Sequence, residues 1–182
     1  MNLTQKLITR RLILKLINQN DFEAFTKMID DTDVIKNLKF ISNGRTEMNA
    51  NDLFMSIIES YNSNTPIIAL IIFNKESGNY IGLCGLLPSE DDYRAECFYT
   101  ILPLYRGNGY AIEAMKKLFE YAFKELNFAR ILLFIHPTNS RGWKVAERVG
   151  MKYLGQMTHK DKLSKMMYFS IDKAEFDSQG DY

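Results

Sequence analysis

Residues 101–112 read ILPLYRGNGYAI, and a strand, a turn and a helix meet in them. The apolar, β-favouring run 97–102 stops at Pro103, and a short Arg/Gly/Asn turn follows. Glycines let a backbone approach a ligand, and the first turn of a helix has unpaired N–H donors. The segment therefore predicts a phosphate-binding cradle at residues 106–111. The helix after it has one apolar face, formed by Ala111, Met115, Leu118, Phe119, Ala122, Phe123 and Leu126.

The loop lacks the two commonest nucleotide-binding patterns. No G-x-x-x-x-G-K-[ST] run occurs, and the pattern G-x-G-x-x-G fails because its last position is Ile112. The loop does contain R-x-x-G-x-A, with Arg106, Gly109 and Ala111. The alternative interpretation is a tight turn whose glycines only reverse the chain.

Composition narrows the class of protein. The chain has 182 residues, and 46% of them are hydrophobic, which is ample for one core. We expect a single domain over residues 1–173 and a frayed polar tail at 174–182. Charge is almost balanced, with 23 basic and 22 acidic residues, which argues against a nucleic-acid partner bound through bulk electrostatics.

Three further features predict a cytoplasmic protein. The N-terminus has no apolar signal core, and the longest apolar run, residues 67–73, is too short to span a bilayer. We therefore expect no membrane-spanning segment and no membrane partner. Cys84 and Cys97 lie in strand-like apolar runs, so we expect two buried free thiols rather than a disulfide framework.

The order of elements predicts a mixed α+β fold, or a three-layer α/β fold. Three hairpin-linked strands are expected at residues 67–73, 80–87 and 94–102, and one longer strand at 7–16. A whole helix separates the strand at 94–102 from the apolar run Arg130–Ile135, so these two strands should be parallel. The result is a mostly antiparallel, twisted sheet of about seven strands, flanked by helices. The remaining elements are helices near 22–29, 53–61 and 140–149 and strands at 151–157 and 166–171.

Three motifs resemble those of the GNAT N-acetyltransferases. Residues 105–114 are similar to Y-x-G-x-G-Y-A-x-E-A, the acyl-CoA pyrophosphate loop of the RimJ/RimL-like branch. Residues 139–151 resemble that branch's N-x-x-S-x-x-V-L-E-K-x-G-F, and Arg11 to Asp21 resemble its R-L-x-L-R-x-x-x-x-x-D opening. The resemblance implies a GNAT fold, whose two parallel central strands splay apart to admit acetyl-CoA.

The resemblance also implies the site. The N–H groups of residues 106–111 would bind the pyrophosphate, backbone near Ile101 and Leu102 would pair with the pantetheine amides, and Asn139 would bind from the other wall. A backbone N–H near Ile101 would donate to the thioester oxyanion. No metal is implied. The cofactor-binding set is Ile101, Leu102, Arg106, Gly107, Asn108, Gly109, Tyr110, Ala111, Asn139 and Gly142.

The catalytic base has several candidates. Glu96 lies where the family's A-E-x-G-Y segment carries glutamate, and it could take a proton directly or through water. The alternative for Glu96 is a strand glutamate that faces solvent or pairs with a lysine. His136 also follows a strand beside the expected cleft, although a loop-orienting role fits it better. Glu113 is interpreted as structural, and Cys97 has no histidine partner that would make it a nucleophile.

Three of the departures from the family pattern bear on catalysis and the acceptor, whereas Lys15 for arginine and Arg148 for lysine keep the charge. Gly142 replaces a serine proposed as the general acid, and Ala146 stands where other branches have a tyrosine. Tyr168 or water could substitute for that acid. Phe98 replaces a glycine, which would narrow the acceptor groove.

The predicted function is acetyl transfer from acetyl-CoA to a primary amine, preferably a protein N-terminal α-amine. An α-amine is partly neutral at pH 7 and needs the least help from a base. Acetylation of a small amine such as a polyamine or aminoglycoside is an alternative, suggested by the acidic loop Glu90-Asp91-Asp92. A CoA-binding module without turnover, suggested by Gly142 and Ala146, is another. A nucleotide-binding protein fits the loop patterns poorly. The choice between monomer and homodimer stays open.

Overall fold

The structure, a computed structural model, describes residues 3–29, 34, 49–89, 93–158 and 165–180. One sheet carries all the strands in these ranges, and helices cover both of its faces. The strands are β1 (Lys6–Ile8), β2 (Leu12–Leu16), β3 (Ile68–Asn74), β4 (Tyr80–Pro88), β5 (Arg94–Ile101), β6 (Arg130–Ile135), β7 (Lys152–Thr158) and β8 (Lys165–Asp172). The helices are α1 (Phe22–Ile29), α2 (Ala50–Ser60), α3 (Tyr110–Lys124), α4 (Ser140–Arg148) and α5 (Lys173–Asp177).

The sheet has the order β1-β2-β3-β4-β5-β6-β8-β7. Every neighbouring pair is antiparallel except β5 and β6, which are parallel and are joined through α3. The predicted fold class is therefore confirmed: a mixed, mostly antiparallel sheet with one parallel central pair and flanking helices. The sheet has eight strands in the described residues, where the sequence predicts about seven.

The parallel pair separates soon after it forms. Its register contains only Arg94 opposite Arg130, Ala95 opposite Ile131 and Glu96 opposite Leu132. Strand β5 nevertheless continues to Ile101 and β6 to Ile135. The carboxyl-terminal halves of the two strands therefore border a gap, as the predicted splay requires.

The core has two layers because strand side chains alternate between the faces of the sheet. On one face, Ile68, Leu70 and Ile72 of β3 join a cluster with α3, and Phe176 of α5 packs against it. On the other face, Ala69 and Ile71 join a cluster with α1 and α2. Strand β3 is thus buried on both sides, which explains its uninterrupted apolar sequence.

The single strand predicted at residues 7–16 is wrong in one respect, because the structure has a hairpin there. Strands β1 and β2 pair with Leu7 opposite Leu14. Thr9 makes the turn: its backbone N–H donates to the Leu12 carbonyl (3.0 Å), and its hydroxyl accepts from the Leu12 N–H (2.9 Å). The hydroxyl bonds locally to the backbone and so ends the first strand, which adds one strand to the predicted number.

The C-terminal tail also differs from the expectation of fraying. Residues 173–177 form helix α5, which has a capping box between Asp172 and Glu175. The ring of Phe176 lies 5.2 Å from that of Phe123, so an apolar residue anchors the segment to the core. Phe176 is the only aromatic residue of this polar helix, which is too weak a periodic signal to predict α5 from the sequence.

Both cysteines are buried and free, as predicted. Burial raises the pKa of each thiol well above its usual value. Within the described ranges no helix combines the length and apolar character that a membrane crossing needs. The acidic loop residues Glu90, Asp91 and Asp92 lie outside the described residues.

Candidate acyl-CoA site

The predicted phosphate cradle lies between β5 and α3. A short 3₁₀ turn, Pro103–Tyr105, follows β5, and α3 begins at Tyr110. Between them, Gly107 and Gly109 have φ angles of 84° and 77°, the left-handed region that favours glycine. Gly109 is the N-cap of α3, and no described side chain caps that end. The N–H groups of the first helical turn are therefore available to an anion.

Glu113 ties this loop to the β1–β2 hairpin. Its Oε1 accepts from the Thr9 hydroxyl (2.6 Å) and the Arg11 backbone N–H (2.7 Å), and its Oε2 pairs with Arg11 Nε at 2.6 Å. Partial burial raises the pKa of this carboxyl, but the hydrogen bonds from Thr9 and Arg11 outweigh it, so the pKa lies below its usual value. These contacts agree with the structural role expected of Glu113.

Ile101 is the strand residue whose backbone faces the gap. The neighbouring Leu102 N–H donates to the Ile81 carbonyl at 3.0 Å, so those two residues form a hydrogen-bonded pair of the β4–β5 ladder. Such pairs alternate with pairs whose N–H and C=O groups point to the opposite neighbour. Ile101, opposite Gly82, is of the second kind and faces the side of β6.

Leu102 is less suited to bind a ligand through its backbone than the sequence suggests. Its N–H is used by Ile81, and its carbonyl accepts from the Tyr105 N–H at 2.9 Å. Both groups hold the end of β5 in place. Of the two residues predicted to pair with pantetheine, Ile101 is the one whose backbone N–H and C=O point toward the gap.

Arg106 connects the loop to the same strand end. Its Nε donates to the Ile101 carbonyl at 2.8 Å. This bond confirms that the Ile101 carbonyl faces away from β4. It also brings the Arg106 guanidinium beside the gap, where its positive charge favours an anionic ligand.

Asn139 and Gly142 form the N-terminus of α4 on the other side of the gap. The Asn139 Oδ1 accepts from the Gly142 N–H at 2.9 Å, so Asn139 is the N-cap of this helix. A Cβ built on Gly142 would lie 2.8 Å from Asn139 Nδ2. A side chain at residue 142, such as the family's serine, would therefore require the capping amide of Asn139 to shift.

Tyr99 is a residue of the site that was not predicted from the sequence. Its hydroxyl donates to the Gly142 carbonyl at 2.6 Å, which joins β5 to α4 across the gap. Burial raises the pKa of this phenol, so it keeps its proton at neutral pH. Tyr99 occupies the tyrosine position of the A-E-x-G-Y pattern, which is the signal that could have identified it.

Glu96 lies on the opposite face of β5 from Tyr99. It is the last β5 residue in the ladder with β6, opposite Leu132, and it is half-buried. Its position is therefore the point where the gap opens. Phe98, two residues further along the same face, is almost fully buried against α1 and α2.

Phe98 fills the core rather than the expected acceptor groove. Its ring atom Cζ lies 2.4 Å from the place where a Cβ on Gly85 would stand. The two residues are opposite each other on β4 and β5. Where the family has a glycine on β5 this chain has Phe98, and its ring lies over Gly85 on β4.

The other catalytic candidates are placed as follows. The ring Nδ1 of His136 lies 2.7 Å from the Thr138 hydroxyl at an exposed position, which agrees with a loop-orienting role. Ala146 is fully buried. Tyr168 stacks on Phe134 with ring centroids 5.0 Å apart. Phe134 is two residues from Leu132 on β6, so this aromatic pair lies on the Glu96 face of the sheet.

Together these features form a candidate site with a glycine loop and a helix N-terminus at one end and a gap between parallel strands at the other. The ends of parallel strands and a helix N-terminus are a common binding position in α/β proteins.

Comparison with known proteins agrees with this geometry. Residues 11–152 match the family model of the acetyltransferase (GNAT) domain. The uncharacterized N-acetyltransferase p20 of Bacillus licheniformis is 27% identical over 178 residues, covering 94% of this chain and 98% of that protein. The family match spans well over half of the chain. The chain therefore belongs to the GNAT family, and it is an acetyl-transferring enzyme.

Solved structures show the same fold. The spermidine N-acetyltransferase of Vibrio cholerae, in complex with CoA and spermine, has a TM-score of 0.77 and 16% identity, covering 92% of this chain and 99% of that one. The ribosomal-protein-S5-alanine acetyltransferase of Vibrio fischeri has a TM-score of 0.72 and 14% identity, covering 94% and 98%. At these identities the likeness concerns the fold alone.

Proposed function

We propose that this protein is an acetyl-CoA-dependent N-acetyltransferase of the RimJ/RimL-like kind, whose preferred acceptor is a protein N-terminal α-amine. The observation that carries the proposal is the glycine cradle with its uncapped helix N-terminus, placed at the end of a strand that borders the gap. Two left-handed glycines and an uncapped first turn fit a pyrophosphate. The gap fits the narrow pantetheine arm.

The parts of the site divide the binding of acetyl-CoA between them in this proposal. The N–H groups of residues 106–111 hold the pyrophosphate, and the backbone of Ile101 holds the pantetheine and the thioester carbonyl. Acetyl-CoA supplies an activated acyl group with a good leaving group. The Ile101 N–H stabilises negative charge on the carbonyl oxygen, while Asn139 and Gly142 form the opposite wall.

Glu96 is the proposed base. Its carboxylate takes the proton that the acceptor nitrogen loses as the new C–N bond forms, directly or through one water. The C–S bond of the thioester then breaks, and CoA leaves as the thiolate. Its position at the opening of the gap, on the face away from Tyr99, separates the acceptor side from the side of α4. Glu96 is therefore preferred as the base, because it lies on the acceptor side of the gap. His136 instead contacts the Thr138 hydroxyl through its ring.

The acceptor preference rests on chemistry. A lysine amine has a pKa of about 10.4 and is almost fully charged at pH 7, whereas an α-amine at about 7.7–8.0 is partly neutral. Neither of the acids expected from the family is present at Gly142 or Ala146. A site with few acid–base groups suits the acceptor that needs the least activation.

The test is thiol release from acetyl-CoA with a panel of acceptors. The panel contains peptides with free N-termini, the same peptides blocked at the N-terminus but containing lysine, spermidine, an aminoglycoside and no acceptor. We expect release with free N-termini and its loss on blocking. Release only with spermidine or the aminoglycoside would overturn the proposed acceptor, and CoA binding without any release would favour a module that does not turn over.

A matched pair of variants tests the base. Glu96→Gln keeps the shape of the side chain and removes its basicity, so we expect kcat to fall by about 10²–10⁴-fold. Glu76→Gln, on the exposed β3–β4 turn, is the control and should leave kcat unchanged. Equal rates for the two variants would assign the base to another group.

A further inference from the structure

The β1–β2 hairpin, near the N-terminus, contacts the phosphate cradle that precedes α3. Its Arg11 contacts Asn108, which is 97 residues away in sequence. The family resemblance identifies Arg11 only as part of an opening motif and gives it no task. Its contacts in the structure suggest one.

Arg11 makes three contacts with the loop and the helix after it. Its Nη1 donates to the Asn108 carbonyl at 3.0 Å, its Nε pairs with Glu113 at 2.6 Å, and its guanidinium carbon lies 4.7 Å from the centre of the Tyr110 ring. The side chain is 37% exposed, so one end of the guanidinium remains near solvent. The planar guanidinium makes all three contacts at once because its donors point in different fixed directions.

The bond to Asn108 fixes the orientation of one peptide group. In a trans peptide the carbonyl and the next N–H point in opposite directions. When Arg11 holds the Asn108 carbonyl on its own side, the Gly109 N–H must point to the other side. Gly109 is the N-cap of α3, so that N–H belongs to the cradle.

Arg11 itself is held firmly. Glu113 bonds both the Nε and the backbone N–H of Arg11, and the Arg11 carbonyl accepts from the Lys75 N–H at 2.9 Å. The Asn108 side chain turns back on the loop, with Nδ2 donating to the Tyr105 and Arg106 carbonyls at 3.2 and 3.3 Å. Two glycines with left-handed φ angles leave the backbone many alternatives, and these bonds select one of them.

We propose that Arg11 is a positioning residue for acyl-donor binding, which directs the Gly109 N–H into the cradle by holding the Asn108 carbonyl. The inference rests on the proposed function, because the cradle is taken to bind the pyrophosphate of CoA. The inference requires the directed N–H donors of the guanidinium, so a lysine, which keeps only the positive charge, does not replace Arg11.

The experiment compares CoA affinity by calorimetry for the wild type, Arg11→Lys, Arg11→Ala, Glu113→Gln and the control Arg10→Lys. Arg10 is exposed and lies next to Arg11 in the same turn, so Arg10→Lys makes the same chemical change at a position outside the cradle. We expect about tenfold weaker CoA binding for Arg11→Lys and Arg11→Ala, as for the loss of a hydrogen bond from a charged donor. Arg10→Lys should bind as the wild type does.

A second readout distinguishes positioning from general destabilisation. The assigned Gly109 amide resonance of the ¹⁵N-labelled protein is followed during titration with inorganic pyrophosphate and with CoA. We expect a downfield shift in the wild type and in Arg10→Lys, and a much smaller shift in Arg11→Lys at an unchanged melting temperature. If the Arg11 variants fail to fold, Glu113→Gln, which releases the guanidinium, must show the same two effects.

Two results would overturn this inference alone: wild-type CoA affinity in Arg11→Lys, or an unchanged Gly109 shift. CoA binding by the wild type without thiol release to any acceptor would overturn the proposed turnover and leave Arg11's role standing. No CoA binding by the wild type would overturn both.

Discussion

The hydroxyl of Tyr99 donates a hydrogen bond of 2.6 Å to the carbonyl oxygen of Gly142. Tyr99 belongs to β5 and Gly142 to α4, so this bond joins the two walls of the gap where the strands diverge. Both positions where the family resemblance expects an acid, Gly142 and Ala146, have lost their functional groups. The Tyr99 phenol places a hydroxyl group beside this part of α4.

Removing that hydroxyl tests how far it holds the walls together. Tyr99→Phe leaves the Gly142 carbonyl without this donor, and we expect a loss of about 1 kcal/mol in the free energy of unfolding. Urea denaturation is the measurement. Tyr93→Phe is the control, since the Tyr93 side chain is 76% exposed and should not change stability. Equal stability of the two variants would show that water replaces the bond at no cost.

Restoring a side chain at residue 142 should destabilise the protein. The Cβ of Gly142→Ala or Gly142→Ser would stand 2.8 Å from Asn139 Nδ2, so the N-cap of α4 must move. The loss of an N-cap costs about 1 kcal/mol. Thermal or urea unfolding of each variant measures it, and we expect no gain in acetyl transfer from the serine.

A double-mutant cycle separates the cap from other effects of that substitution. With Asn139→Ala the obstructing amide is gone, so adding Gly142→Ala should cost much less than it does in the wild type. Equal costs in both backgrounds would show that the crowding at Asn139 is not the reason for the glycine.

The predictable parts of the fold are those that short sequence segments determine. The predicted bounds of Arg130–Ile135 match the observed strand, because a short continuous apolar run between polar residues favours a strand. The position of β8 between β6 and β7 depends on which strands pair, and no local pattern encodes that choice. The same reason hid the hairpin at Thr9, where one hydroxyl interrupts an apparently continuous strand.

The site divides in the same way. The cradle at Gly107 and Gly109 could be predicted, since glycine permits the positive φ angles that both residues adopt. The contacts from Arg11 to Asn108 and from Tyr99 to Gly142 could not, because each joins residues far apart in the chain. The sequence predicts a ligand contact at Leu102 and does not reveal that its backbone groups bond to Ile81 and Tyr105.

The Glu113 carboxyl should make stability depend on pH. Its folded-state pKa lies below the ordinary value of 4.5, so it stabilises the fold above that value and loses this contribution as pH falls through the lowered folded-state pKa. Glu113→Gln lacks this titration. Urea unfolding at pH 7 and below pH 4.5 should show a larger loss on acidification for the wild type than for the variant. Glu76→Gln should follow the wild type, and parallel behaviour of all three proteins would contradict the prediction.

The two thiols should react only when the protein opens. Cys84 and Cys97 are completely buried, and burial raises the pKa of both, so almost no thiolate is present near neutral pH and a thiol reagent has no access. With a colorimetric disulfide reagent we expect no labelling of the native protein within minutes and two equivalents in denaturant. Cys84→Ser and Cys97→Ser should each give one equivalent on unfolding. Rapid labelling of the native protein would show that the β4–β5 layer opens readily, and comparison of the two variants would identify the strand that is exposed.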